Sequence, residues 1–239
     1  VGFGILLWWT FDGILPMKDR ETFGHVMRVV DGYVSCFVVD DGEGGLFLVD
    51  TCNSEGGEPV TNALSERGRN PAAVRAILFT HGHADHTAGA SLFDRAVVYA
   101  HRSERRLLGG EVAARGPLPR FSGRGPPIEV DVLLEDGQRF TIGQRKIQVF
   151  HLPGHTDGSV AYLIDDTLLL GDNGHGLVDG RLVPSPWIFS DDTARNRASL
   201  RALAKRLQRE RITPRYLVPS HSGALDPSAL YRWAAENPG

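Results

Sequence analysis

Most of the features that would place a chain outside the ordinary globular proteins are missing here. There are two cysteines, Cys36 and Cys52, in 239 residues. Two cannot make the framework of a disulfide-built scaffold, and a reduced, cytoplasmic setting is the simpler reading. Charge of one sign is also lacking, since 26 Lys and Arg stand against 29 Asp and Glu, a net of −3. That balance excludes a nucleic-acid binder working by bulk charge, so no nucleic acid is expected as partner. No apolar run is long enough to span a bilayer as a helix, and no stable membrane insertion is expected. No short repeat or low-complexity tract occurs. What remains is 41% hydrophobic and 23% charged residues, a globular balance. A chain this long buries roughly 70–75% of its unfolded surface when it folds as one compact unit.

Residues 1–16 read VGFGILLWWTFDGILP. Asp12 interrupts the apolar run, and neither a basic leading region nor a small-residue cleavage site is present. Trp8 and Trp9 need cover, because adjacent tryptophans left in water form a sticky patch. Two readings are favoured: a segment packed on the domain's own core, and an arm that covers a pocket or pairs the chain into a homodimer. A third is the remnant of a leader, which would make the protein an exported one.

From His25 the text turns strand-like. HVMRVV, YVSCFVV and GLFLVD are short apolar runs separated by Asp31-Gly32 and by a glycine-rich turn at 40–45. Pro59–Glu66 has helical spacing, with Val60, Ala63 and Leu64 on one side. Val74–Thr80 is a buried strand that leads straight into HGHADH. Thr87–Phe93 opens a helix, Ala96–Ala100 is a strand, and His101–Leu108 is helical. Gly109–Pro127, rich in Gly, Pro and Arg, is a long loop, and such loops are often functional. A second strand-rich block follows (VDVLLED, QRFTI, KIQVFHL, VAYLID, TLLLGD). Asp192 or Thr193 caps a helix over Ala194–Arg211, whose Leu200, Leu203, Ala204 and Leu207 form one stripe. Tyr216–Pro219 is a last strand and Ser228–Glu236 a last helix. Two β-rich halves, each closed by helices, predict an α/β fold: a four-layer αββα sandwich of two packed mixed sheets flanked by helices.

Five of the nine histidines, His81, His83, His86, His155 and His221, fall at the ends of these strands. Asp85 and Asp172 join them. In an extended segment His81 and His83 point the same way, and Asp85 and His86 turn to a second point as the chain enters a helix. One short loop thus supplies ligands to two metal ions. Neutral imidazole and carboxylate suit Zn²⁺, and Fe²⁺ and Mn²⁺ fit the same donors. The absence of cysteine from the set removes a soft-metal site. The other histidines read differently. His25 and His101 are surface or capping residues, His151 lies in a strand, and His175 is a surface-loop residue that could line the cleft. Asp157 is a turn former, Cys52 a small buried apolar residue, and the arginines at 102, 105, 106, 115, 120 and 124 a solvated face.

HGHADH resembles the HxHxDH signature of the metallo-β-lactamase superfamily. LPGHTDGS, LLLGD and LVPSHSG follow in matching order, and LVDT resembles the first motif. The resemblance implies the sandwich just described as a single domain over 25–239, with 1–24 as an apolar extension or arm. It also implies His81, His83 and His155 on one metal, Asp85, His86 and His221 on a second, and Asp172 bridging. The resemblance further implies that Asp85 would orient a metal-bridging hydroxide acting as nucleophile and that Asp50 would support the metal loop by hydrogen bonds. Asp172 argues against true β-lactamases and favours the group with glyoxalase II and the lactonases, which use a tyrosine near the metals. Tyr33, Tyr99, Tyr162, Tyr216 and Tyr231 are all candidates for that role. The expected activity is hydrolysis of a small ester, thioester or lactone, with a small-molecule substrate. The alternatives are a persulfide dioxygenase-like enzyme with one iron on His81, His155 and Asp172, a β-lactam or phosphoester hydrolase, and a metal-retaining binding module. Trp8, Trp9 and Phe121 are expected in the substrate wall.

Overall fold

The strands alternate between two apolar faces, and that alternation builds the architecture. The computed structural model of the protein describes residues 13–118 and 127–239. The expectations for Trp8, Trp9, Arg120, Phe121 and Arg124 lie outside the described residues. One sheet holds β1 (Thr22–Phe23), β2 (Val26–Asp31), β3 (Val34–Asp40), β4 (Leu46–Val49), β5 (Val74–Leu78), β6 (Val97–His101) and β7 (Val132–Leu134), side by side in chain order. β1–β4 run as an antiparallel meander and β4–β7 are parallel. The second sheet uses β8 (Arg139–Ile142), β9 (Arg145–His151), β10 (Val160–Ile164), β11 (Thr167–Gly171) and β14 (Tyr216–Pro219), in the order β14-β11-β10-β9-β8. β14 joins it parallel to β11. A small hairpin, β12 (Gly174–Gly176) with β13 (Leu182–Pro184), stands apart.

Both faces of each sheet are covered, so successive residues enter different cores. In β3, Phe37 and Val39 point to the second sheet, where they meet Val149, Val160 and Tyr162. Cys36 and Val38 point the other way, toward Val60, Ala63 and Leu64 of α1 (Glu58–Ser65). In β10, Tyr162 and Ile164 face the first sheet, while Ala161 and Leu163 face the helical layer. That layer includes α4 (Thr193–Glu210), which buries the expected stripe of Leu200, Leu203, Ala204 and Leu207, and α5 (Ser228–Glu236), which buries Leu230 and Trp233. Asp192 caps α4 through its side chain, 2.9 Å from the Arg195 N–H. Three apolar layers between four structural ones make the expected αββα sandwich.

Several expectations are corrected. The helix set at Thr87–Phe93 starts earlier: α2 spans Ala84–Thr87, and Ala88–Leu92 is a 3-10 turn. His175 is in β12 and buried, not in a surface loop. His101 is the capping residue expected rather than a surface one: it is buried, caps the 3-10 turn Arg102–Glu104, which leads into α3 (Arg105–Leu108), and its ring stacks on His151 at 3.8 Å. Cys52 is not a small apolar filler but is bonded to Cys36. The cause is local. Asp50 and Cys52 both adopt left-handed backbone (φ 58° and 63°), which folds the chain after β4 back beside β3. Of the apolar N-terminal segment, Leu15 exchanges backbone hydrogen bonds with Gly176 and Gly223, and β1 pairs with β2.

Candidate metal centre

All seven proposed side chains converge at one edge of the two sheets. The chain leaving β5 carries His81 and His83, and His83, at the N-cap position of α2, has extended backbone with φ −72° and ψ 151°. Asp85 and His86 follow in the first turn of α2. The loop after β9 supplies His155, the end of β11 supplies Asp172, and the end of β14 supplies His221. The loop before His155 is drawn tight: Gly154 has φ 138°, and a Cβ there would collide with the Asn196 backbone in α4. Gly171, at φ 58°, turns the chain so that Asp172 leaves the sheet edge.

Three groups of donors lie within metal-ligating range: His81 with His83 and His155, His81 with His86 and Asp172, and Asp85 with His86 and His221. Asp172 sits at the centre. Its Oδ2 lies 2.9 Å from His221 Nε2 and 3.5 Å from His155 Nε2, and its Oδ1 lies 3.1 Å from His86 Nε2. Asp85 Oδ2 is 3.5 Å from His221 Nε2.

Four imidazoles are anchored through Nδ1, leaving Nε2 for the centre. His86 Nδ1 donates to Asp50 Oδ2 at 2.8 Å, and His221 Nδ1 donates to the Tyr33 carbonyl at 2.8 Å. His155 Nδ1 meets Ser185 Oγ at 2.8 Å, and His81 Nδ1 meets Thr80 Oγ1 at 3.1 Å. Fixing the far nitrogen orients the ring and sets its tautomer. Asp50 does more, since it also accepts from the Thr80 N–H at 2.8 Å and the Thr80 hydroxyl at 2.7 Å. It is fully buried.

The donors fit a divalent cation on physical grounds. His155 Nε2 lies 3.1 Å from His81 Nε2 and 3.0 Å from His83 Nδ1, so unprotonated nitrogens crowd one point. Buried His83 Nε2, His86 Nε2 and Asp172 Oδ1 make no well-aligned hydrogen bond, although the last two lie 3.1 Å apart. Such groups are costly unless something else satisfies them. Burial holds His81, His83 and His155 below the usual imidazole range, and neighbouring imidazoles add to this for His81 and His155. They are therefore neutral, the ligating form. Burial also opposes charge on His86 and His221, but carboxylates, Asp172 foremost, outweigh it and push both up. Positive charge is thus drawn to the place where a cation would supply it. Asp172 is held well below the carboxylate range by His221 and His86, against its own burial.

Sequence reasoning had no signal for Ser185, which arrives from the β13 side. Tyr33 stood among five undifferentiated tyrosines; in the structure it lies against His221. Its ring stacks on His221 with centroids 5.8 Å apart and planes 9° apart, and it is 60% exposed. Partial burial, with Asp85, Asp172 and Asp31, pushes its phenol up to about 12, so it remains a hydrogen-bond donor at neutral pH. The described part of the long loop docks beside His155: Leu118 bonds Ile188, and Arg115 pairs with Asp157 at 2.8 Å and Asp191 at 3.3 Å.

The acyl-coenzyme A thioesterase MBLAC2 of Homo sapiens is 28% identical over 188 residues, covering 72% of this chain and 66% of that protein. The hydroxyacylglutathione hydrolase of Shewanella loihica is 30% identical over 180 residues, covering 73% of this chain and 57% of that protein. The chain thus spans less than two thirds of the length of these curated relatives. Among solved structures, the subclass B3 metallo-beta-lactamase BJP-1 of Bradyrhizobium japonicum superposes with a TM-score of 0.68 at 21% identity, covering 95% of this chain and 93% of that one. The Rm3 metallo-beta-lactamase superposes with a TM-score of 0.66 at 23% identity, covering 92% and 85%. At these identities the superpositions speak for the fold alone. The sequence model of the metallo-beta-lactamase superfamily matches residues 29–221. That match begins in β2 and ends on His221, taking in every strand that delivers one of the seven side chains, and the chain belongs to the metallo-beta-lactamase superfamily.

Proposed function

We propose that the protein is a dinuclear metal-dependent hydrolase that cleaves a small acyl ester, thioester or lactone. The observation that carries this reading is the central position of Asp172. One carboxylate reaches His155 of one donor group and His86 and His221 of the other, the arrangement needed to span two cations. His81, His83 and His155 would hold one ion and Asp85, His86 and His221 the other, with zinc the best match to imidazole and carboxylate donors. A bound pair of divalent ions supplies Lewis acidity and an ionised water near neutral pH. The chain's own residues do the rest. Asp85, less buried than the histidines of α2 and the metal loop, orients the attacking water. Asp50 and Ser185 keep the rings of His86 and His155 from turning. The Tyr33 phenol supplies a donor and a flat wall for the substrate.

Both relatives bear names for removal of an acyl group, from coenzyme A in one and from glutathione in the other. That supports the acyl branch over phosphodiesters and β-lactams. Formation of the Asp85, His86 and His221 group supports two ions over one. The test is elemental analysis of the purified protein, paired with assays on an acyl-coenzyme A, an acylglutathione, a lactone, a phosphodiester and a β-lactam. Two cations per chain and acyl hydrolysis that a chelator abolishes and Zn²⁺ restores are expected. One iron per chain with oxygen consumption would remove the reading. So would a fully loaded protein that turns over none of the acyl substrates.

A further inference from the structure

Glu104 belongs to none of the sequence motifs, yet it touches two of them. It ends the 3-10 turn Arg102–Glu104 and is 1% exposed. Its two oxygens are divided between the two loops that carry His81, His83 and His155. Oε1 accepts from the Gly82 N–H at 2.7 Å, between His81 and His83. Oε2 accepts from the Gly158 N–H at 2.8 Å and from the Thr156 hydroxyl at 3.0 Å, just after His155. Burial pushes the carboxyl up to about 7, against the pull of these three donors. A group this costly to bury would be replaced by an apolar side chain if packing were its only task.

The glycines of both motifs have their reason here. A Cβ on Gly158 would overlap the backbone nitrogen and the carboxylate of Glu104. A Cβ on Gly82 would come 3.3 Å from Oε1 and 3.1 Å from Leu107 Cγ in α3. The two loops close on Glu104 because Gly82 and Gly158, whose N–H groups meet it, carry no side chain. Asp50 fixes the other side of the centre in a similar way, through Thr80 and His86.

We propose that Glu104 is a positioning residue: by holding the Gly82 and Thr156–Gly158 loops on one carboxylate, it sets the spacing of the His81, His83 and His155 imidazoles and with it their affinity for a divalent cation. This rests on the metal-centre reading above, not on the identity of the substrate.

Glu104→Gln tests it in the full-length chain. The amide keeps the shape but puts an NH₂ donor against one of the two loops, where only donors face it. The readouts are Zn²⁺ affinity by competition with a chromophoric chelator, the visible spectrum of the Co²⁺-substituted protein, and the melting of the metal-free protein. The expected result is about 10–100-fold weaker binding of one cation, the usual cost of losing a partner that orients ligands. The Co²⁺ spectrum changes with it, and the metal-free protein still folds but melts somewhat lower, because the amide leaves a buried donor unpaired. Glu104→Asp keeps the charge but is too short to span both loops, so it fails to restore binding. Thr156→Val removes one of the three donors and weakens the same cation in the same direction by a smaller factor. A folded Glu104→Gln protein with wild-type affinity for both cations and an unaltered Co²⁺ spectrum overturns the proposal. If Glu104→Gln does not fold, wild-type binding by Thr156→Val overturns it instead. A wild-type chain that binds no cation would remove the metal-centre reading and this inference with it.

Discussion

Asp50 shows how much one side chain can be asked to hold. Its carboxylate accepts from Thr80 N, from Thr80 Oγ1 and from His86 Nδ1, and no water reaches it. It does so from a left-handed backbone (φ 58°) that a non-glycine residue adopts only when its surroundings reward it. Asp50→Asn puts an NH₂ group against this set of donors. The expected outcome is a loss of roughly 10–100-fold in affinity for the cation on His86, read by chelator competition. A destabilisation of about 1–3 kcal/mol in denaturant titration should accompany it, the cost of leaving a buried donor unpaired. An Asp50→Asn protein with unchanged metal affinity would show that the His86 ring is held by other contacts.

Among the elements, the end of β4 is where local structure and stability meet. The meander β2–β3–β4 follows from alternating apolar residues and the turns at Asp31-Gly32 and 40–45, all legible beforehand. The link from Cys36 to Cys52 was not, because it depends on two nearby left-handed residues that no propensity announces. It closes a loop with a sequence separation of 16, and that loop contains Asp50. Loop-closure entropy makes such a link worth about 3 kcal/mol. The Cys36→Ala, Cys52→Ala protein should lose about 2–3 kcal/mol in urea unfolding, and a reductant should lower the wild-type midpoint while leaving the double variant untouched. Identical midpoints with and without reductant would show the bond to be absent. The hairpin β12–β13 was also unseen. Its three-residue strands, one of them Gly174-His175-Gly176, carry too few apolar residues for a period to show.

For the whole molecule, the junction of the two sheets carries a stacked pair of imidazoles. His101 ends β6 in one sheet and His151 ends β9 in the other, and their rings stack at 3.8 Å. Burial first, then the charge of His151, lowers His101 to about 4. Its pKa in the folded protein is therefore below its unfolded value near 6.5, so the unfolded chain binds the extra proton between the two. The stability this site contributes is present above pH 6.5 and lost as the pH falls toward 4. His101→Asn keeps a side chain able to accept from Ser103 N–H and removes the titration. Melting curves from pH 7 to 4 should fall less steeply for the variant than for the wild type. Parallel curves would place the acid sensitivity among the metal-centre histidines instead.

The layers and the seven candidate ligands were legible along the chain. Period-two alternation on strands buried on both faces specifies three cores, and each ligand follows such a strand closely enough that its position is set by local chain direction. What steadies those ligands emerged only once sheet packed on sheet. Glu104, Ser185, Arg28 and Tyr33 act across separations of tens to nearly two hundred residues: Arg28 Nη1, fully buried, donates to the Ser222 carbonyl beside His221 at 2.8 Å from the opposite sheet. Partners of this kind leave no periodic trace, since a hydrogen bond between distant segments constrains two isolated positions rather than a pattern along the chain. Nothing short of the assembled sandwich brings them within reach.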